Sequence, residues 1–190
     1  MFSSRNIHFA VLGLILGASA GYVLAFYNAE VPAEAPAAAN SGLPANHPDL
    51  NSPETLDFLR KAAEENAQQP EILARYANAL FSAGRFEDAL EWYGKVLAIQ
   101  PDNLDVRSVR GAVYWRLGRM DEAMADLQAA LQQDPNHLPT LYGLFLLTLN
   151  KGDVARAAQV FRKIESIDPN YEGLPELKAR LEEERRKRSN

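Results

Sequence analysis

Three histidines are the only side chains of this 190-residue chain whose ordinary pKa lies near neutrality. They are His8, His47 and His137, spread over the N-terminal third and one later turn, and the sequence specifies no nucleophile or shared metal site for any of them. Cysteine is absent, which removes disulfides, thiol nucleophiles, thiolate metal sites and a lipid-modified cysteine. No glycine-rich phosphate loop and no metal-binding histidine pair occurs. The residues therefore point away from an enzyme and call for neither a cofactor nor a metal. Two charged features stand out. Arg110 falls inside an apolar helical pattern, where an unpaired guanidinium would cost several kcal/mol. Its stem is expected to pack while its head reaches a carboxylate such as Glu91 or Asp126 or emerges at the surface, a ligand-binding arginine being the alternative. The basic run Arg185, Arg186, Lys187 and Arg188 follows Glu182, Glu183 and Glu184 at four-residue spacing, so it should be neutralised along one helix.

The elements that must carry these groups are set by an internal period. Gly84, Gly118 and Gly152 are 34 residues apart, as are Ala89, Ala123 and Ala157, and Pro101, Pro135 and Pro169. Glycine ends a first helix because it accepts a left-handed backbone, alanine lets a second helix approach closely, and proline stops that second helix. Helix pairs are expected over residues 71–83 with 86–99, 105–117 with 121–133, and 139–151 with 154–167. The chain then divides into an apolar N-terminal segment (1–27), a linker (28–52), a first capping helix (53–69), three repeats (70–103, 104–137 and 138–171) and a C-terminal capping helix (172–190). Ser52, Pro53 and Glu54 open the first cap, and Leu174, Leu177 and Leu181 form the apolar stripe of the last.

Residues 7–26 are apolar apart from His8, Ser19 and Tyr22, about the 20 residues a helix needs to cross a bilayer. Arg5 precedes the run and Glu30 is the first charge after it, which puts the repeats on the far side of a bacterial inner membrane, in the periplasm. A second reading takes Ala18, Ser19 and Ala20 as a signal-cleavage site and makes the product soluble after export. Gly13, Gly17 and Gly21 share one helical face and offer a seam for self-association. The alanine- and proline-rich linker cannot bury a core and serves as a semi-flexible spacer. Net charge is −5 overall and −6 beyond residue 26, a balance that excludes nucleic acid as a partner.

The repeats resemble the tetratricopeptide repeat (TPR) family. The family pattern is met in the first repeat by Leu73, Tyr76, Ala77, Leu80, Ala89, Tyr93 and Pro101. Gly111, Tyr114, Ala123, Leu127 and Pro135 meet it in the second, with Arg107 and Arg110 where an aromatic and a leucine are usual. Leu141, Leu144, Ala157, Phe161 and Pro169 meet it in the third, with Phe145 in place of a small residue and Thr148 in place of tyrosine. The resemblance implies an all-α helix-turn-helix solenoid, here with capping helices and one N-terminal transmembrane helix.

Family members bind extended peptides or partner helices in a concave groove lined by their first helices. That geometry puts Asn78, Phe81, Ser82, Ala112, Trp115, Arg116, Tyr142, Leu146, Leu149 and Asn150 on the groove wall. The clamp that some relatives use for an acidic C-terminal peptide needs basic and amide groups, of which only Asn78 is kept, since Ala74, Pro139 and Gly143 stand at the other positions. The layout is also similar to that of the tetratricopeptide factors of cytochrome c biogenesis, which capture apoprotein outside the membrane. The expected function is thus a membrane-tethered adaptor or scaffold for envelope complex assembly that takes a protein or peptide partner in the groove. An exported assembly factor, or an accessory subunit that binds a folded partner, is the alternative.

Overall fold

A computed structural model of the protein describes residues 52–189. Residues 1–51 lie outside this range, and with them the expected membrane segment, the linker, His8, His47 and the glycines Gly13, Gly17 and Gly21. None of the described helices is long and apolar enough to cross a membrane.

Eight helices make up the described residues, with no strand among them. They are α1 (Pro53–Glu65), α2 (Pro70–Ser82), α3 (Phe86–Ile99), α4 (Leu104–Arg116), α5 (Met120–Gln133), α6 (Leu138–Asn150), α7 (Val154–Ile167) and α8 (Leu174–Ser189). They fall into two compact units, residues 52–134 with α1 to α5 and residues 135–189 with α6 to α8. The boundary is at Pro135, one of the prolines of the 34-residue period.

The period is written into the backbone. Gly84, Gly118 and Gly152 have φ of 75°, 73° and 76°, and no other residue of the described range has a left-handed backbone. Each sits just past a first helix in the same two-bond closure. Arg85 N–H donates to the Leu80 carbonyl at 2.8 Å and Gly84 N–H to Phe81 at 3.0 Å, and Arg119 with Gly118 and Asp153 with Gly152 repeat the pattern. A β-carbon built on Gly118 would meet nothing within 4 Å, so the constraint there is conformational and not steric. Gly118→Ala should therefore cost about 1 kcal/mol through the left-handed backbone alone, read as a small fall in urea midpoint with unchanged slope.

Second helices return against the first through buried alanines, Ala89, Ala123 and Ala157. A close approach occurs at Gly111 in α4, where a β-carbon would lie 3.3 Å from Leu127 Cδ2 and 3.4 Å from the Ala123 carbonyl oxygen. In the third repeat the same position holds Phe145, fully buried with its ring centroid 6.5 Å from that of Phe161. Thr148 replaces the usual tyrosine and satisfies its own hydroxyl by donating to the Leu144 and Phe145 carbonyls, at 2.8 and 2.9 Å.

Both end helices pack on their neighbours, α1 on α2 and α8 on α7 and α6. α1 starts at Ser52, whose hydroxyl accepts from the Thr55 N–H at 3.1 Å. Its buried contact is Ala63, while Phe58 remains 70% exposed. α8 turns Leu177 and Leu181 inward, whereas Leu174 is only half-buried. Its charged tail keeps the expected pair of Glu183 with Lys187 and departs from the expected ladder at Arg188. Lys187 takes both Glu183 (2.9 Å) and Glu184 (2.8 Å), and Arg188 donates instead to the Gly152 carbonyl in the α6–α7 turn. The Gly152 carbonyl also accepts from the Val154 N–H at 3.0 Å, so the guanidinium is its second donor.

Candidate functional site

The ten groove positions lie on α2, α4 and α6, the first helices of the three repeats. On α2, Phe81 is buried with its ring 5.4 Å from Phe86, and Ser82 donates to the Asn78 carbonyl at 3.0 Å. Asn78 itself is half-buried, and its side-chain oxygen accepts from the Tyr93 hydroxyl at 2.5 Å. An amide at this position has no packing role that the sequence reveals, yet the fold gives it one, accepting from a tyrosine hydroxyl on α3. On α4, Ala112 is buried, and Trp115 and Arg116 are half-buried. Desolvation lowers the Arg116 pKa from the ordinary guanidinium value.

On α6, Tyr142, Leu146 and Leu149 are buried and Asn150 is exposed. Tyr142 stands edge-on to Tyr171, with centroids 6.5 Å apart, and burial pushes the Tyr171 hydroxyl up to about 12. Half of the ten positions are thus enclosed by packing. The part-exposed residues are Asn78, Ser82, Trp115 and Arg116, all within residues 52–134, with Asn150 exposed on α6.

Arg110 finds the second of its two expected carboxylates. Its Nε and Nη2 donate to the two oxygens of Asp126, each at 2.6 Å, in a bidentate pair that raises the guanidinium pKa. Glu91 pairs with Lys95 instead, at 2.8 Å. Arg107, which holds the usual aromatic position, places Nη1 3.7 Å from the same Asp126 and donates from Nε and Nη2 to the Pro101 carbonyl, at 3.2 and 2.9 Å. Two departures from the family pattern therefore share one nearly buried carboxylate on α5, and the arginine is structural.

Trp92 is half-buried, edge-on to Tyr76 at 5.0 Å, with the Lys95 ammonium 3.6 Å above its ring. His137 Nδ1 lies 2.7 Å from the Thr140 hydroxyl at the start of α6, a local hydrogen bond. Among the described residues no group of three or more histidine, aspartate or glutamate side chains could hold a metal ion.

Two family profiles match this chain, one described as TPR repeat over residues 77–118 and one as Tetratricopeptide repeat over residues 114–181. The chain belongs to the tetratricopeptide repeat family. It is similar to the Hsp70-Hsp90 organizing protein of Triticum aestivum, 35% identical over 97 residues, which are 51% of this chain and 17% of that one. An inactive TPR repeat-containing thioredoxin of Arabidopsis thaliana is 33% identical over 93 residues, 49% of this chain and 14% of the relative. The chain thus spans less than a fifth of the length of these curated relatives.

Among solved structures, a tetratricopeptide repeat protein from Parabacteroides merdae superposes with a TM-score of 0.61 at 24% identity, covering 69% of this chain and 52% of that one. The first TPR of Spaghetti (RPAP3) bound to the HSP90 peptide SRMEEVD superposes with a TM-score of 0.55 at 20% identity, covering 61% and 93%. At these identities the likeness is one of fold, the all-α tetratricopeptide solenoid. Neither matching family is a catalytic one.

Proposed function

We propose that this protein is a membrane-tethered adaptor. Residues 7–26 hold it in a bacterial inner membrane, the linker spaces the repeats from the bilayer on the periplasmic side, and the first-helix face binds a protein or peptide partner in the assembly of an envelope complex. The observation that carries the binding part is the tetratricopeptide fold over residues 77–181, the fold of a domain solved with a peptide bound. That domain's acidic peptide is a poor guide to the ligand here. Ala74, Pro139 and Gly143 take the places of the clamp's polar groups, and Asn78 spends its oxygen on Tyr93. The partner is accordingly one read by an aromatic ring and one guanidinium, Trp115 and Arg116, and not by a row of cations.

The test is binding after capture of the partner by in-cell crosslinking from position 115. Trp115→Ala should weaken that partner by on the order of 2 kcal/mol, about thirtyfold, while the melting temperature stays close to the parent's. Equal affinity for Trp115→Ala and parent would reject this face. For the tether, the full chain should stay in the membrane fraction after carbonate washing, and a soluble product with a new N-terminus near residue 21 would reject it.

A further inference from the structure

The second helices α3, α5 and α7 hold equivalent positions of the 34-residue period, so their outward faces can be compared residue by residue. α3 and α5 open on acids, Glu87 with Asp88 and Asp121 with Glu122, as the positive end of a helix favours. α7 reverses this charge. Ala155 and Arg156 take the first-turn places, Gln159 stands for Glu91, and Arg162 and Lys163 follow, all of them exposed. Arg85 and Arg119 pair with Asp88 (2.6 Å) and Glu122 (2.8 Å), whereas Asp153, at the same place before α7, accepts from the Arg156 backbone N–H at 3.0 Å in place of an ion pair with the guanidinium. No carboxylate among the described residues pairs with Arg156, Arg162 or Lys163. α3 departs from the pattern on the same face. Gly94 lies in mid-helix, where glycine costs stability relative to alanine, yet its φ is not left-handed and a β-carbon there would meet nothing within 4 Å among the described residues. Glu87, Glu91, Gly94 and Ala98 recur at four- and three-residue spacing, so the glycine and alanine form a shallow strip that continues from two exposed carboxylates.

We propose that the outward face of α7 in one copy of this chain docks antiparallel on the outward face of α3 in a second copy. The antiparallel sense sets Arg162 and Lys163, late in α7, against Glu87 and Glu91, early in α3, and brings Ala155 and Gln159 over the strip of Gly94 and Ala98. A parallel pairing would lay Lys163 beside Lys95. The missing side chain at Gly94 then has a use, since it lets a second helix approach where the chain's own fold puts nothing. A second copy fits better than an anionic bilayer or a nucleic acid. Residues 52–134 carry an acidic excess and residues 135–189 a basic one, so a polyanion is repelled by most of the chain, while another copy supplies a match for each excess. The contact is head-to-tail, joining different surfaces of the two copies, so it leaves one α3 face and one α7 face open and extends into chains instead of closing as a two-fold dimer. Exposed ion pairs are individually weak and salt-screened, so the association belongs to concentrated copies and low salt. It forms in water and does not depend on the membrane tether.

Because the chain has no cysteine, engineered pairs give an unambiguous readout. Full-length chains carrying Gly94→Cys are mixed in detergent, at high concentration and low salt, with full-length chains carrying Gln159→Cys, and oxidised. The control replaces the second chain by one carrying Glu182→Cys, exposed on α8, so that any association through the N-terminal segment raises both rates alike. The disulfide joining positions 94 and 159 of two chains should form about tenfold faster than the control, and high salt should remove the difference. Ala98→Cys, exposed one turn further along α3, repeats the measurement should position 94 disturb the fold. Charge reversal identifies the contact. Glu87→Lys with Glu91→Lys on the first chain should bring the rate down to the control, and adding Arg156→Glu, Arg162→Glu and Lys163→Glu to the second chain should restore it. Rates equal to the control from both positions 94 and 98 overturn the proposal, as does an advantage that the first reversal leaves intact or the second fails to restore. Removal of residues 7–26 by cleavage would reject the tether and leave these rates unchanged, which keeps the two readings separable.

Discussion

Arg110→Ala is expected to destabilise the fold by about 3 kcal/mol, the lower end of the cost of stripping one partner from a buried ion pair. Asp126 has a side chain only 8% exposed, and the bidentate guanidinium satisfies both of its oxygens at 2.6 Å. Without Arg110 the carboxylate keeps only Arg107, at 3.7 Å, too long for a hydrogen bond of full strength. The same reasoning gives the opposite result for the double replacement. Arg110→Leu with Asp126→Leu removes both charges and restores the leucine usual in the family, so it should recover most of the loss or exceed the parent. Urea unfolding of Arg110→Leu, Asp126→Leu and the double variant measures this as a coupling energy. A loss under about 0.5 kcal/mol for Arg110→Ala would mean that the pair behaves as an exposed one.

The second large effect is Phe145→Ala. This substitution places the small residue of the first two repeats at the third repeat's matching position, and yet it should cost about 3 to 5 kcal/mol. The reason is that α7 answers Phe145 with the Phe161 ring, so removing one ring leaves a cavity and not a closer helix pair. Ala77 and Gly111 suit their own repeats because Tyr93 and Leu127 stand opposite them in the pattern, and at Gly111 no room is left for a β-carbon without displacing Leu127. A melting temperature of Phe145→Ala within a degree or two of the parent would show that α6 and α7 can close on a small residue.

The sequence by itself determined the repeat and its phase. Each element of that reading is local: a glycine tolerates the φ near +75° that closes a first helix, a proline ends a helix through its own missing N–H, and an alanine admits a close neighbour by its size. Copying the same three signals at one interval multiplied their weight, and so the all-α tetratricopeptide class was legible before any coordinate. Arg110 was half legible. That a guanidinium in an apolar pattern must be paired follows from its desolvation cost, but both Glu91 and Asp126 lay on second helices, and only the return of α5 against α4 selected Asp126.

Tertiary structure alone decided which first-helix residues remain open. Asn78 carries the same side chain whether it meets a ligand or Tyr93, fifteen residues away, and nothing in the spacing of the two types distinguishes these uses. Phe81, Tyr142, Leu146 and Leu149 likewise read as an apolar face, and whether such a face is covered depends on what folds over it. The charged tail makes the same point at the surface. Four-residue spacing permits Glu184 to pair with Arg188, but the Gly152 carbonyl, thirty-six residues earlier, is brought within reach by the fold and takes the guanidinium instead. Periodic, short-range geometry is set by the chain's own covalent chemistry, whereas the choice among several adequate partners is made by distance, which exists only after the helices have packed.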